Sequence, residues 1–405
     1  MTPEIITKYN KATQLLNKQK YDKAASLYKQ ILGTMQFKEA WINLGNCYRF
    51  LDLDTKAGEC YSKANSPQIP FLNGTTAPQY NLALNNLGLL EFCRGNDLGA
   101  IAYYDRALAV EPDFADAAWN KSTALLRHCC SGHPELFPSA WQWYQWRFKK
   151  TPPVQLKNDK PGLLQWSGGE VDSLVILAEQ GLGDNIQWSR YIPLVAARVK
   201  KLWIQCDPSI SVLFEGYNQC FHVSESDATH GVPICSLSSF FDVIPDANWR
   251  TFEQKFTFAP GFNIGIVHSG SPTHANNRNR STTINRFHRL AKYANLYSLQ
   301  PDFKSTKQVK GLSIKSWRDT IAYINGLDLV ICVDTSVAHM AGLLGKECWL
   351  LQPLKETDFR WGSHEGESNC WYSSIRVIRN HNNWDEVFDQ VETMLKDRVY
   401  GSNNV

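Results

Sequence analysis

The sequence predicts an α plus α/β protein: a helical repeat array over residues 1–150, followed by two α/β halves over 151–258 and 259–405, each built on a parallel sheet. Three observations carry this. Small and aromatic residues recur in fixed register through the first 150 residues, and short apolar runs alternate with helical patterns through the rest. A length of 405 residues, at roughly 100–200 per domain, calls for two or three domains.

Four small residues, Ala12, Gly45, Gly88 and Ser122, stand in register at spacings of 33, 43 and 34 residues. The first three are followed twelve residues later by Ala24, Ala57 and Ala100, and four residues after those by Tyr28, Tyr61 and Tyr104. In the fourth unit the step lengthens to Ala140 and Tyr144, because HCCSGHPELFPS inserts about six residues. The longest spacing holds NSPQIPFLNGTTAPQ, whose Pro, Asn and Gly content reads as a loop between repeats. Antiparallel helices approach closely only where small side chains face each other, and the aromatic one turn on is expected to fill the space toward the next helix. The pattern resembles the tetratricopeptide repeat, most clearly in the third unit with Leu87, Gly88, Ala100, Tyr104, Ala107 and Pro112. Units one and four are degenerate, as terminal repeats are. Such an array serves either as a scaffold packed on its neighbour or as a concave surface for a peptide or other acceptor. The segment SAWQWYQWRF is expected to pack the last repeat helix onto the next domain.

The Pro- and Lys-rich stretch 151–162 reads as a linker. Beyond it, the strand candidates are 173–179, 201–207, 221–226, 263–270, 294–300, 328–334, 347–352 and 374–380, with helical patterns between many of them. That alternation predicts parallel sheets covered on both faces. FEQKFTFAPG separates the two halves near residue 258. Ligands in paired α/β folds sit at the carboxyl ends of the strands, so the loops there are the candidate site.

Composition excludes several function classes. The net charge of +3 gives no global attraction to nucleic acid or to an anionic membrane, so any anionic ligand must be held locally. Eleven scattered cysteines lack CxxC or Cys/His zinc spacing, which indicates neither a disulfide framework nor a metal site. MTPEIITKYN has no signal-peptide character and no window approaches a membrane span, so a soluble cytoplasmic protein is expected. Fourteen Trp, sixteen Tyr and nineteen Phe, 12% of the chain, exceed what generic packing needs.

Two strand-to-helix turns carry the chemistry. In LAEQGLGDNIQWSRY the strand ends at Glu179, and Gly181 and Gly183 let the backbone approach a ligand while Asp184 is placed to cap the helix. In LDLVICVDTSVAHMAGLLG a buried strand runs into Asp334, then Thr335 and Ser336 open a helix that carries His339. The amides at that helix start suit a diphosphate. A third string, HSGSPTHANNRNRST, offers Ser269, Gly270, Arg278 and Arg280 beyond another strand end, where guanidinium groups clamp phosphate oxygens. By contrast DLDTK at 52–56, which has the Asp-x-Asp spacing of a metal-dependent transferase, falls in an interhelix turn of the repeat array.

With these motifs in order, residues 165–385 resemble bacterial proteins that fuse tetratricopeptide repeats to a glycosyltransferase domain related to the lipopolysaccharide heptosyltransferases. The matching strings are AEQGLGDNIQWSRYIPL, IGIVHSGSPTHANNRNRS, DLVICVDTSVAHMAGLLGK, WLLQPLKETDFRW and SNCWYSSIRVIRN. The resemblance implies a B-type glycosyltransferase fold of two Rossmann-like halves, a nucleotide-sugar donor held mostly on the second, no cofactor and no obligatory metal. It implies an inverting displacement in which Asp184 removes the acceptor proton; Glu179 is the second candidate base on chemical grounds, because burial at a strand end raises a carboxylate. Asp334, Thr335, Ser336 and His339 would hold donor diphosphate and sugar, and Trp188, Trp361 and Trp371 are candidates for ligand stacking. The sequence departs from the family at Asn277, Cys370 and Ser373, where donor contacts are expected to differ. Two other readings compete: a non-catalytic repeat scaffold on the same fold, and a nucleotide-sugar epimerase.

Overall fold

The computed structural model describes residues 2–72, 78–157, 159–241, 243–274, 276–352, 357–362, 369–379 and 383–401. The chain forms two compact units, Met1–His128 with Trp143–Pro152, and Cys129–Gln142 with Pro153–Val405. Among the described residues no helix is long and apolar enough to cross a membrane.

Helix pairs of the tetratricopeptide type build the first part of the chain: α1 Pro3–Asn17, α2 Tyr21–Thr34, α3 Lys38–Phe50, α4 Asp54–Ala64, α5 Pro78–Cys93, α6 Asp97–Val110, α7 Ala115–Cys130 and α8 Phe137–Tyr144. The register of small residues and tyrosines has a direct cause. A Cβ on Gly45 would lie 2.5 Å from the Tyr61 ring, and one on Gly88 would lie 2.6 Å from the Tyr104 ring. Each tyrosine therefore covers the small residue of its own pair, rather than reaching toward the next helix as the spacing alone suggested. Tyr61 also donates from its hydroxyl to Asn46 Oδ1 at 2.8 Å. Gly88→Val should lower stability by about 2–3 kcal/mol, since the ring is fully buried and overpacking outweighs the small gain in helix propensity. Denaturant unfolding checks this, and an unchanged midpoint would refute the packing role of Gly88. A second buried feature holds α7 to α6: Arg127 Nε donates to Asp97 Oδ1 at 2.7 Å while its guanidinium covers the Phe92 ring. Trp143 and Trp146 pack against the cluster of Ala100, Tyr104 and Ala107. DLDTK runs from the turn between α3 and α4, where Asp52 has φ 59°, into the first turn of α4.

The second unit holds two wholly parallel sheets. The strands are β1 Leu164–Gln165, β2 Val171–Leu177, β3 Val199–Gln205, β4 Asn218–Cys220, β5 His230–Pro233, β6 Asn263–Val267, β7 Asn295–Ser298, β8 Val309–Gly311, β9 Leu329–Val333, β10 Cys348–Gln352 and β11 Ile375–Arg379. Their orders are β1-β5-β2-β3-β4 and β11-β10-β9-β6-β7-β8. These are two Rossmann-like halves. The central strands β6, β9 and β10 are buried along their whole length, which is why they read as unbroken apolar runs. Helices α9 Leu182–Trp188, α10 Ile192–Ala196, α11 Asn277–Arg280, α12 Ile284–Phe287, α13 Trp317–Gly326, α14 Ser336–Leu343 and α15 Trp384–Tyr400 lie between and after the strands.

One strand expectation is corrected. Residues 221–226 form a 3-10 turn at Val223–Glu225, and the edge strand is β4, three residues earlier. Phe221 is exposed, so the apolar character of that stretch does not mark a strand face. The short strands β1, β5 and β8 escape sequence reading because each has at most four residues and two contain Gly.

Each sheet reverses direction once. In the first, β2 continues to β3 on one side and meets β5 on the other; in the second, the reversal lies between β6 and β9. Crevices at the carboxyl ends of strands open at these reversals.

Candidate active site

The loops after β2, β6 and β9 converge on one cavity of about 310 Å³, lined by Gly181, Leu182, Gly183 and Asp184 from the first half. Ser271, His274, Arg280, Asp334, Thr335, Ser336, His339, Asp358 and Arg360 of the second half complete it. The turn after β2 and the start of α14 therefore meet, as their positions at the two sheet reversals require.

Asp184 does not sit at the N-cap of α9, as the sequence suggested, but at the third helical position. From there its Oδ2 reaches back to accept the Gly181 amide at 2.9 Å. Its Oδ1 accepts from Arg360 Nη2. Arg360 also donates from Nε to Gln187 Oε1 at 2.7 Å and from Nη1 to both Asp358 oxygens at 2.8 Å. Asp184 and Gln187 belong to the first half and Asp358 to the second, so this one guanidinium bridges the cleft. Burial pushes the Asp184 carboxyl above the ordinary carboxylate range, opposed by Arg360 and by the Gly181 amide.

Across the cavity, Thr335 is the N-cap of α14 with extended backbone and no side-chain cap bond. The amides of Ser336 and Val337 have no helical carbonyl before them, so the start of the helix is an anion-seeking surface. Among the described residues, Thr335 Oγ1 and Arg280 Nε are buried without a hydrogen-bond partner. Arg280 Nη1 donates to the Asp334 carbonyl at 3.0 Å, and its guanidinium lies where a Cβ on Gly270 would be, 2.5 Å from Nη2. Gly270 thus makes room for Arg280. The Asp334 carboxyl is raised to about 6, first by burial and then by the charge of Asp358, with Arg280 opposing. His339 is held well below the usual imidazole range by burial and by Arg360 and Arg190, so it is neutral. Its Nδ1 shares a 3.0 Å hydrogen bond with the Tyr372 hydroxyl.

Gly183 faces His339 as well as the cavity: a Cβ there would lie 2.9 Å from His339 Cδ2 and 3.6 Å from Ser336 Cα. The close approach it permits is therefore of α9 to α14, in addition to any ligand.

Several expected residues lie elsewhere. Glu179 is buried, and its Oε1 accepts the Cys235 amide at 2.9 Å, away from the cavity wall. Ser269 accepts from Gln300 Nε2 at 2.9 Å and does not line the cavity. Arg278 is exposed on α11. The three tryptophans are corrected as ligand platforms, since Trp188 and Trp361 are 0% exposed and Trp371 is 3% exposed. Trp188 and Trp371 pack with Trp141, ring centroids 5.9–6.1 Å apart, and Trp361 lies 5.0 Å from the His339 ring. They support the site from behind. Ser271, His274, Asp358 and Arg360 also line the cavity without being marked by glycine or capping chemistry in the sequence; Asp358 and Arg360 sit in one of the strings of the family resemblance.

A second, larger cavity of about 730 Å³ adjoins the first, sharing Leu182 and Ser336. It is lined by Pro208 and Val212 on one half and by Leu299, Pro301, Trp317 and Thr320 on the other.

No family model matches the sequence. Protein FlbA of Caulobacter vibrioides is 22% identical over 413 residues, covering 79% of this chain and 68% of FlbA. Among solved structures, the iron-containing dodecameric glycosyltransferase TibC from enterotoxigenic E. coli H10407 aligns over 58% of this chain and 76% of its own, with 12% identity and a TM-score of 0.37. Thermobaculum terrenum O-GlcNAc transferase aligns over 98% of this chain and 91% of its own, with 10% identity and a TM-score of 0.36.

Proposed function

We propose that this protein transfers a glycosyl group from a nucleoside-diphosphate sugar to an acceptor hydroxyl, with inversion and without a metal ion. One observation carries the reading: a carboxylate on the first half, Asp184, faces a cation and a helix N-terminus on the second, Arg280 and α14, across a single cavity at both sheet reversals. Inverting transfer needs a base beside the acceptor hydroxyl and donors that stabilise the departing diphosphate.

Asp184 takes the proton of the acceptor hydroxyl. The acceptor oxygen then bonds the anomeric carbon from the face opposite the leaving group, and the bond to the diphosphate oxygen breaks with its electron pair. The new charge is met by Arg280, by the amides of Ser336 and Val337 and by the Thr335 hydroxyl; the buried, unpartnered Arg280 Nε and Thr335 Oγ1 support this reading. Neutral His339 faces the sugar. The adjoining 730 Å³ cavity has the volume and apolar lining for the nucleoside. The repeat array is the proposed holder of the acceptor, a protein or peptide segment, since stacked helix pairs form extended binding surfaces.

Thermal shift with a panel of nucleoside diphosphates and their sugars tests the binding, because a ligand at 100 times its Kd adds about 2.7 kcal/mol of stability. No shift with any member of the panel would leave the scaffold reading in its place, and a sugar isomer formed from donor alone would establish the epimerase. Arg280→Ala should weaken donor binding roughly 10- to 100-fold, the value of a charge-assisted hydrogen bond to phosphate. Titration calorimetry reads this directly, and unchanged affinity would remove Arg280 from the diphosphate site.

A further inference from the structure

Sequence spacing indicated no disulfide, yet the fold brings Cys130 and Cys370 together across 240 residues, with Cα atoms 5.0 Å apart and sulfurs in bonding contact. That separation is within the range a disulfide spans. Cys130 ends α7 and Cys370 precedes Trp371 and Tyr372. Both are partly exposed, whereas eight of the nine other cysteines are buried, so this pair is open to a small thiol reagent.

The segment that follows Cys370 reaches the candidate active site within two residues. Tyr372 bonds His339 Nδ1, and its ring lies where a Cβ on Gly342 would be, 2.3 Å from Cδ1. The Trp371 carbonyl accepts from buried Arg190 at 2.8 Å, and the Trp371 ring packs against Phe137 and Trp141, which follow Cys130 in the chain. Short local bonds, from the Trp371 and Tyr372 amides to Asn369 Oδ1, shape the turn itself.

We propose that Cys130 and Cys370 form a reversible thiol–disulfide site that fixes the position of Tyr372, and with it His339. The co-reactant is a low-molecular-weight disulfide such as oxidised glutathione. One cysteine thiolate attacks it and expels one thiol, giving a mixed disulfide; the other cysteine thiolate then displaces the second thiol and closes the Cys130–Cys370 bond. Two electrons pass to the small disulfide and two protons leave the cysteines. A dithiol reverses the exchange. Neither step depends on the reading of the site as a glycosyltransferase.

The test uses the full chain, incubated with oxidised or reduced glutathione, alkylated without denaturant and mapped by peptide mass spectrometry. A linked peptide joining Cys130 and Cys370 is expected in the oxidised sample alone, with the eight buried thiols unmodified. Amide hydrogen exchange is then compared across 369–377. Reduction should accelerate it about tenfold, because the turn loses its covalent tether. Cys130→Ser, which leaves the turn's own sequence intact, should exchange at the faster rate in both samples. The proposal fails if no such peptide forms under oxidation, or if exchange across 369–377 is the same in both states of the wild type.

Discussion

Asp184→Asn is expected to lower glycosyl transfer by roughly 10²- to 10⁴-fold, the usual contribution of a positioned base, while donor affinity stays within about twofold. The substitution is close to isosteric, and the amide oxygen can still accept the Gly181 N–H, so the start of α9 keeps its geometry. Arg360 loses one of its partners but retains Gln187 and the two-pronged bond to Asp358, so its guanidinium stays in place. What disappears is the capacity to take a proton. In the proposed mechanism the donor is held on the other wall of the cavity, and calorimetry measures its binding separately. Unchanged turnover in this variant would remove Asp184 from the mechanism, and a parallel loss of donor affinity would show that it binds rather than reacts. Because burial raises its carboxyl, the acidic limb of the pH–rate profile should lie above the ordinary carboxylate range.

The second large effect is on stability. Asp334 titrates near 6 in the folded protein and near 3.9 when unfolded. A carboxyl whose folded value is raised favours the folded state fully below its unfolded value, and this contribution is lost as pH rises through about 6. The raised value corresponds to roughly 2 kcal/mol lost between pH 4 and pH 7.5. Asp334→Asn removes the titration, so the variant should gain roughly 2 kcal/mol relative to wild type across that interval. Urea unfolding at four pH values measures the difference. A difference that does not change with pH would show that the Asp334 carboxyl is not raised in the folded protein. The expected gain implies that the native residue is kept at a cost in stability, as functional carboxyls commonly are.

Much of the architecture was legible because its causes are local. A glycine beneath a tyrosine ring leaves a fixed spacing in the chain, and a strand buried on both faces must be apolar throughout. β4 was missed because an edge strand of Asn, Gln and Cys has neither property. At the site, Asp184, Asp334, Thr335, Ser336 and His339 were readable because strand-to-helix turns announce themselves by glycine, capping residues and the end of an apolar run. Arg360 was not, since its meaning lies in a partner 176 residues away in the chain. The three tryptophans misled for a related reason. Residue type shows that a ring is large, but only the fold shows which side of the wall it stands on.

The absent side chain at Gly183 has a practical consequence for anyone wishing to vary the cavity wall. One added carbon at that position would lie 2.9 Å from His339 Cδ2 and displace that ring, while it would only touch the backbone of Ser336. The packing of α9 on α14 depends there on a missing atom, so residue 183 tolerates variation less well than Ser271 and His274, which line the same cavity.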